Sequence, residues 1–299
     1  MLHFCLVAAA TIPIYLIFLC AKPKKTSKES KSKVHKLSAK AQNQPYTDVL
    51  CLDATRVVIK GRDKDDYIHA SWIHVPDNSC RYICTQGPLT ETLEDFWAMV
   101  FQEKTKFVVM LCNIIEGGAE KCVLYWPEKN GQIENYGAYL VKNVEVKPDP
   151  VEGVRWSLLD IIYKEEIFQV YHVFVTWWPD QLAPIDPAPM VNLYKWVKRL
   201  NEKDHPILVH CSAGVGRTAT FVGLSVRNKY GVRNSYLFKD MNDGFIVGID
   251  YANVRIRENA NTDLIDVIKE MRAQRYQSIQ SHVQYLFLHI CLLEYFIQK

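Results

Sequence analysis

Cys211-Ser-Ala-Gly-Val-Gly-Arg217-Thr218 sets one thiol and one guanidinium with five residues between them in a glycine-containing loop. The run before it, Pro206 to His210 (PILVH), is short, apolar and β-branched and reads as a buried strand. The run after it, TATFVG, reads as the start of a helix. A strand, a glycine-bearing loop and a helix start together aim backbone N–H groups at one point, where they hold an anion. The same field stabilises a thiolate on Cys211. Gly214 and Gly216 admit positive φ and close approach to a ligand. Arg217 offers a planar fork that matches two oxygens of a phosphoryl group. A lone cysteine is more often a core thiol. A cysteine, two glycines and Arg-Thr within eight residues of a strand end point instead to thiolate attack on phosphorus or a related oxyanion centre.

The stretch HCSAGVGRT from His210 to Thr218 closely resembles the phosphate loop of the protein tyrosine phosphatases. Other motifs of that family follow in order over residues 43–299. Tyr46-Thr-Asp48-Val with Asp53-Ala-Thr-Arg56-Val resembles the phosphotyrosine-recognition loop. Asp66 to Ser71 (DYIHAS) resembles the DYINAS stretch, and Thr85-Gln-Gly-Pro88 with Phe96-Trp97 resembles the next block. Glu116 to Lys121 with Tyr125-Trp-Pro127 resembles the loop that braces the active-site arginine. Trp178-Pro179-Asp180 resembles the mobile acid loop, and Gln280 with Gln284-Tyr285 the glutamine loop.

The resemblance implies a set of roles. Cys211 is the nucleophile that becomes a phosphocysteine. Asp180 is the acid for the leaving tyrosine and then the base for water, on a loop hinged at Trp178 and Pro179. Arg217, with the backbone of Ser212, Ala213, Gly214, Val215 and Gly216, holds the phosphoryl oxygens. Thr218 donates to the departing sulfur, and Gln280 and Gln284 place the water. His210 braces the loop through its ring nitrogens, while Glu116 and Lys121 brace the arginine. Tyr46 stacks on the substrate ring and Asp48 holds the peptide backbone. No metal or organic cofactor is implied, because thiolate attack on phosphorus needs none. The implied partners are phosphotyrosine-containing proteins.

Three departures from the pattern stand out. Asn43-Gln-Pro-Tyr46 lacks the basic neighbour usual before the tyrosine. Leu182 stands where the acid loop usually has glycine, and a left-handed backbone there would strain it by about 1–2 kcal/mol. Residues 224–248 interrupt the helix after the phosphate loop: without them TATFVGIDYANVRI reads as one amphipathic helix. The segment is either an untranslated sequence or a surface insertion. An active enzyme is therefore weighed against a pseudophosphatase that binds phosphotyrosine proteins without turnover, and against another Cys-x5-Arg enzyme with a shallower site.

These groups need a scaffold. The resemblance implies an α/β fold, a single domain with a highly twisted mixed sheet flanked by helices. The residues themselves predict strands at 108–112, 162–163 with 170–176, and 207–210. They predict helices at 189–200 and at 262–275, the latter capped by Asn261 or Thr262. With 48% apolar and 12% aromatic residues among 299, the chain has a core to bury. The net charge of +3 is uneven: eight lysines and one glutamate between Lys22 and Lys40 give +7, which leaves −4 for the rest. A mildly acidic body argues against a nucleic-acid-binding face. Nine scattered cysteines without CxxC spacing give neither a disulfide framework nor a zinc site, and a reduced compartment follows.

Residues 2–21 carry no full charge and as a helix would span about 30 Å. They predict a single-pass membrane anchor, followed by a lysine-rich linker over 22–42 and a cytoplasmic catalytic domain over 43–299. The alternatives are a cleaved signal peptide or a wholly cytoplasmic protein. Beside a membrane the lysines would also be drawn to anionic lipid.

Overall fold

The runs FVVM and ILVH are apolar except for the closing His210, and they form two adjacent central strands, buried at every position. A computed structural model of the chain describes residues 45–62, 65–75, 80–201, 205–223 and 264–298. Its elements run β1 (Arg56–Val58), β2 (Tyr67–His74), β3 (Arg81–Thr85), α1 (Leu93–Gln102), β4 (Phe107–Met110), β5 (Ile115–Glu116), β6 (Ala119–Glu120), β7 (Ile133–Tyr136), β8 (Tyr139–Lys147), β9 (Val154–Tyr163), β10 (Glu166–Val175), α2 (Ala188–Leu200), β11 (Ile207–His210), α3 (Arg217–Gly223), α4 (Leu264–Gln274) and α5 (His282–Ile297).

Nine strands make one mixed sheet in the order β1-β2-β3-β11-β4-β10-β9-β8-β7. Its centre is parallel, β11 lying between β3 and β4 and β4 beside β10. Its flanks are antiparallel hairpins. A parallel centre is covered on both faces, which is why β4 and β11 read as unbroken apolar runs. On one face Phe107 of β4 meets Trp196 of α2 at 6.4 Å between ring centroids. On the other, Phe101 of α1 meets Tyr139 of β8 at 5.9 Å. Helices α2, α3 and α5 pack together through Tyr194, Phe221 and Tyr295.

The strand at 207–210 ends where the sequence predicts, at the start of the phosphate loop. The strand at 108–112 lies one to two residues earlier, and the helix at 189–200 begins one residue earlier. The two short pieces at 162–163 and 170–176 belong to ten-residue partners, β9 and β10. Their turn is Lys164-Glu165, with Lys164 left-handed at φ 54°, so no glycine or asparagine announces the hairpin. Helix α4 begins at Leu264; its expected caps, Asn261 and Thr262, lie outside the described residues. So do the apolar segment 2–21, the lysine-rich linker 22–42 and the segment 224–248. Among the described residues no helix is long and apolar enough to cross a membrane.

Candidate active site

The carboxyl end of β11 delivers Cys211, and the chain turns at once into α3, which begins with Arg217. The turn is made at Gly214, whose φ of +72° a side chain rarely adopts and whose missing Cβ leaves room for the backbone of Thr85 and Gln86. The Gly214 N–H donates to Cys211 Sγ at 3.3 Å. Gly216 has no positive φ, contrary to the reading from sequence. A Cβ there would lie 2.7 Å from Gln284 Nε2, the far end of a side chain that would have to shift. Gly87 is needed for space: it donates to the Ser212 carbonyl at 2.8 Å, and a Cβ would strike Cys122 and the Lys121 carbonyl.

Arg217 is 2% exposed and is held in its plane. Nη1 and Nη2 donate to the two oxygens of Glu116 at 2.7 and 2.8 Å. Nη1 also donates to the Trp178 carbonyl at 3.1 Å, and Nη2 to Asp180 Oδ1 at 3.0 Å. Burial opposes the charge of Arg217, but the Glu116 bonds and the nearby Cys211 outweigh it, so its pKa is raised. Glu116 thus stands where the sequence reading puts it. Lys121 makes its ion pair elsewhere: its Nζ donates to Asp180 Oδ2 at 2.7 Å, and that hydrogen bond above all raises its own pKa. Among the described ion pairs it therefore steadies the acid, not the arginine.

The acid loop lies over the phosphate loop. Trp178 is buried against Phe287, and its Nε1 donates to the Leu182 carbonyl at 3.1 Å. Pro179 is exposed at the turn. The left-handed residue is Gln181, at φ 56°, and not Leu182, so the strain expected of the leucine does not arise. Ser281 Oγ donates to the Gln181 carbonyl at 3.5 Å, which joins the acid loop to the glutamine loop.

Around this centre the remaining candidates take separate positions. The Ser212 hydroxyl donates to the Lys121 carbonyl at 2.9 Å, so the contact of 2.5 Å with Tyr46 is one in which the phenol donates. Burial raises the Tyr46 pKa and keeps that proton in place. Val49, Ala213 and Val215 form a small apolar cluster beneath Tyr46. Asp48 is exposed, and its carbonyl accepts from Gln277 Nε2 at 2.9 Å. Gln284 is buried and caps the start of α5, accepting at Oε1 from the Gln280 N–H at 3.1 Å. Gln280 is exposed, and its Nε2 reaches Gln277 at 3.4 Å. Thr218 is fully buried, and its hydroxyl has no hydrogen-bond partner among the described residues.

His210 is braced through both ring nitrogens. Nδ1 lies 3.0 Å from the Cys211 carbonyl and Nε2 lies 2.6 Å from the Tyr125 hydroxyl, which also meets His172 Nε2 at 2.7 Å. A carbonyl only accepts, so Nδ1 carries a proton. Tyr125 thus joins the two imidazoles of His172 and His210 beside the Cys211 carbonyl. Burial, and secondarily His210, hold His172 well below the usual histidine range. Tyr125 lies in a quoted motif, but its role, like that of His172, depends on contacts 47 and 85 residues apart in sequence.

Two predictions arise here. Glu116→Ala leaves Arg217 buried with one carboxylate instead of two, and a missing partner in a buried pair costs about 3–5 kcal/mol. Peptide kcat/KM is expected to fall about 100-fold or more; an unchanged value would show that Glu116 does not hold the arginine in its working plane. The second concerns pH. His69 is held down to about 3, by burial first and by Arg275 second. It is neutral when folded and free to protonate when unfolded, so the unfolded chain binds more protons below about pH 6.5. Its contribution is complete above that value and shrinks as pH falls, by about 2 kcal/mol at pH 5. Melts between pH 7 and 5 should show Tm falling with pH, and falling less in His69→Asn. Equal slopes in the two proteins would contradict this.

A family model described as protein-tyrosine phosphatase matches residues 40–230 and 242–294; its break falls inside 224–248. Tyrosine-protein phosphatase Lar-like of Caenorhabditis elegans is 33% identical over 253 residues, 83% of this chain and 10% of that protein. Tyrosine-protein phosphatase non-receptor type 7 of Homo sapiens is 32% identical over 262 residues, 85% of this chain and 64% of that protein. The chain thus spans from a tenth to just under two thirds of the length of these two relatives. The crystal structure of the catalytic domain of human protein tyrosine phosphatase non-receptor type 18 superposes with a TM-score of 0.70 at 29% identity, covering 85% of this chain and 84% of that one. A structure of PTPN18 in complex with HER2 phosphor-peptides gives a TM-score of 0.69 at 28% identity, covering 85% and 82%.

Proposed function

The chain belongs to the protein-tyrosine phosphatase family, and on that premise we propose that it hydrolyses phosphotyrosine in proteins through a phosphocysteine intermediate. The observation that carries the proposal is the convergence on Arg217 of the Cys211 loop, the Glu116 clamp and the Asp180 carboxylate. The Cys211 thiolate attacks phosphorus as the bond to the tyrosine oxygen breaks, and Asp180 gives that oxygen its proton. Arg217 and the loop N–H groups hold the equatorial oxygens. Water then attacks the phosphocysteine, Asp180 takes its proton, and the S–P bond breaks to release phosphate and thiolate. Thr218, whose hydroxyl has no hydrogen-bond partner among the described residues, would donate to that sulfur. Gln280 and Gln284 border the loop at Gly216, from where they would orient the water.

Leu182 and the segment 224–248 are the two features that favour an impaired enzyme, and the segment lies outside the described residues. The acid loop reaches Arg217 with the leucine in place and its carbonyl accepting from Trp178, which supports the active reading. Phosphotyrosyl, phosphoseryl and phosphothreonyl peptides of one sequence, offered to the full chain, test the proposal. Turnover confined to the phosphotyrosyl peptide is expected, because Tyr46 stands over the loop and a short side chain would not reach Cys211. Equal turnover of all three would point to the shallower class of Cys-x5-Arg enzyme. We further propose that residues 2–21 anchor the protein with this domain on the cytoplasmic side; release from membranes on deleting them is the test.

A further inference from the structure

Arg275, directly after α4, is fully buried, and a buried guanidinium needs every donor met. Nε donates to the Gly214 carbonyl at 3.1 Å and Nη2 to the Ala213 carbonyl at 3.3 Å. Arg275 thus takes up, from behind, carbonyls of the loop that holds Cys211. Nη1 donates to Ser71 Oγ at 3.1 Å and to Cys51 Sγ at 3.3 Å. The remaining partner is His69 on β2, whose Nδ1 lies 3.1 Å from Nη2.

That contact fixes the state of the imidazole. A guanidinium only donates, so Nδ1 accepts and the ring proton sits on Nε2. Nε2 then donates to the Val49 carbonyl at 2.7 Å. Val49 in turn donates its N–H to the Tyr46 carbonyl at 3.0 Å and packs, with Tyr46, on Ala213 and Val215. The circuit is closed. It runs from the turn at Tyr46 through Val49, His69 and Arg275 to the phosphate loop, and returns through the packing of Val49. In the motif that DYIHAS resembles, asparagine stands where this chain has His69. An imidazole presents its acceptor and its donor on opposite sides of the ring, as the span from Arg275 to Val49 requires.

We infer that His69 is a positioning residue that ties the recognition turn, Tyr46 to Val49, to the phosphate loop through Arg275 and so sets how Tyr46 stands over Cys211. The inference rests on the reading of the site as one for phosphotyrosine.

Binding tests it without turnover. In the full chain carrying Cys211→Ser, affinities for a phosphotyrosyl peptide and for inorganic phosphate are measured with and without His69→Leu. The leucine is expected to weaken the peptide about tenfold and inorganic phosphate less than about threefold, because only the peptide meets the recognition turn. His69→Asn, which keeps an acceptor toward Arg275 but is too short to donate to the Val49 carbonyl, breaks the same tie and should also weaken the peptide more than inorganic phosphate. Should the leucine variant fail to fold, His69→Gln replaces it; its amide lies near the Nε2 position and misses Arg275, so the same difference is expected. Equal weakening of both ligands, or of neither, would overturn the inference. If the Cys211→Ser protein binds the peptide while the wild type turns none over, the hydrolase reading falls and the inference is judged on its binding difference. If no peptide binds at all, both fall.

Discussion

Cys211→Ser is expected to abolish hydrolysis of a phosphotyrosyl peptide, by about 10⁴-fold or more, while the fold and the peptide affinity survive. The reason lies in what surrounds the sulfur. Cys211 is 4% exposed, with the Gly214 N–H aimed at it and the buried Arg217 charge beside it. A serine hydroxyl is a far weaker nucleophile toward phosphorus than a cysteine sulfur. Serine is smaller than cysteine and polar, so the loop, with Gly214 left-handed against Thr85, has no cause to move. Circular dichroism and peptide binding check that half of the prediction. Residual turnover within tenfold of the wild type would mean that another group carries the attack.

Asp180→Ala is expected to lower kcat by about 10²–10⁴-fold, the usual range for removing a placed general acid. Peptide binding should hold or tighten. In the structure the Asp180 carboxylate already occupies Arg217 Nη2 and Lys121 Nζ, at 3.0 and 2.7 Å. A substrate phosphate brings its own negative charge to the same guanidinium, so the carboxylate and the phosphate repel while both are ionised. Alanine removes both the proton donor and that repulsion. A fall in kcat with a lower KM is the expected signature. An unchanged kcat would remove Asp180 from the chemistry.

How far the sequence led depended on distance along the chain. The phosphate loop is local: strand, cysteine, Gly214 and arginine lie within a dozen residues, and each is where its neighbours require it. Glu116 was legible only through resemblance, because it meets Arg217 across 101 residues. Lys121 shows the limit of that route. It belongs to the same loop as Glu116, yet its ammonium reaches Asp180, since the loop turns Glu116 and Lys121 toward different partners. Leu182 misled because a missing glycine marks a strained turn without saying which residue bears it; here Gln181 does. His69 and Arg275 carried no local signal. They lie 206 residues apart, and a histidine inside a strand reads as ordinary packing until its two nitrogens are seen to be spent. The β9–β10 hairpin was lost for a smaller reason, a turn made by lysine and glutamate.

The most direct measurement is of the intermediate itself. The full chain is mixed with excess phosphotyrosyl peptide, quenched in acid within the first turnovers and digested, and the fragment bearing Cys211 is weighed. A fragment heavier by one phosphoryl group is the predicted result, absent from Cys211→Ser and accumulating where Asp180→Ala still allows attack. Turnover with the phosphoryl group on any other residue, or with none on the enzyme, would contradict the account.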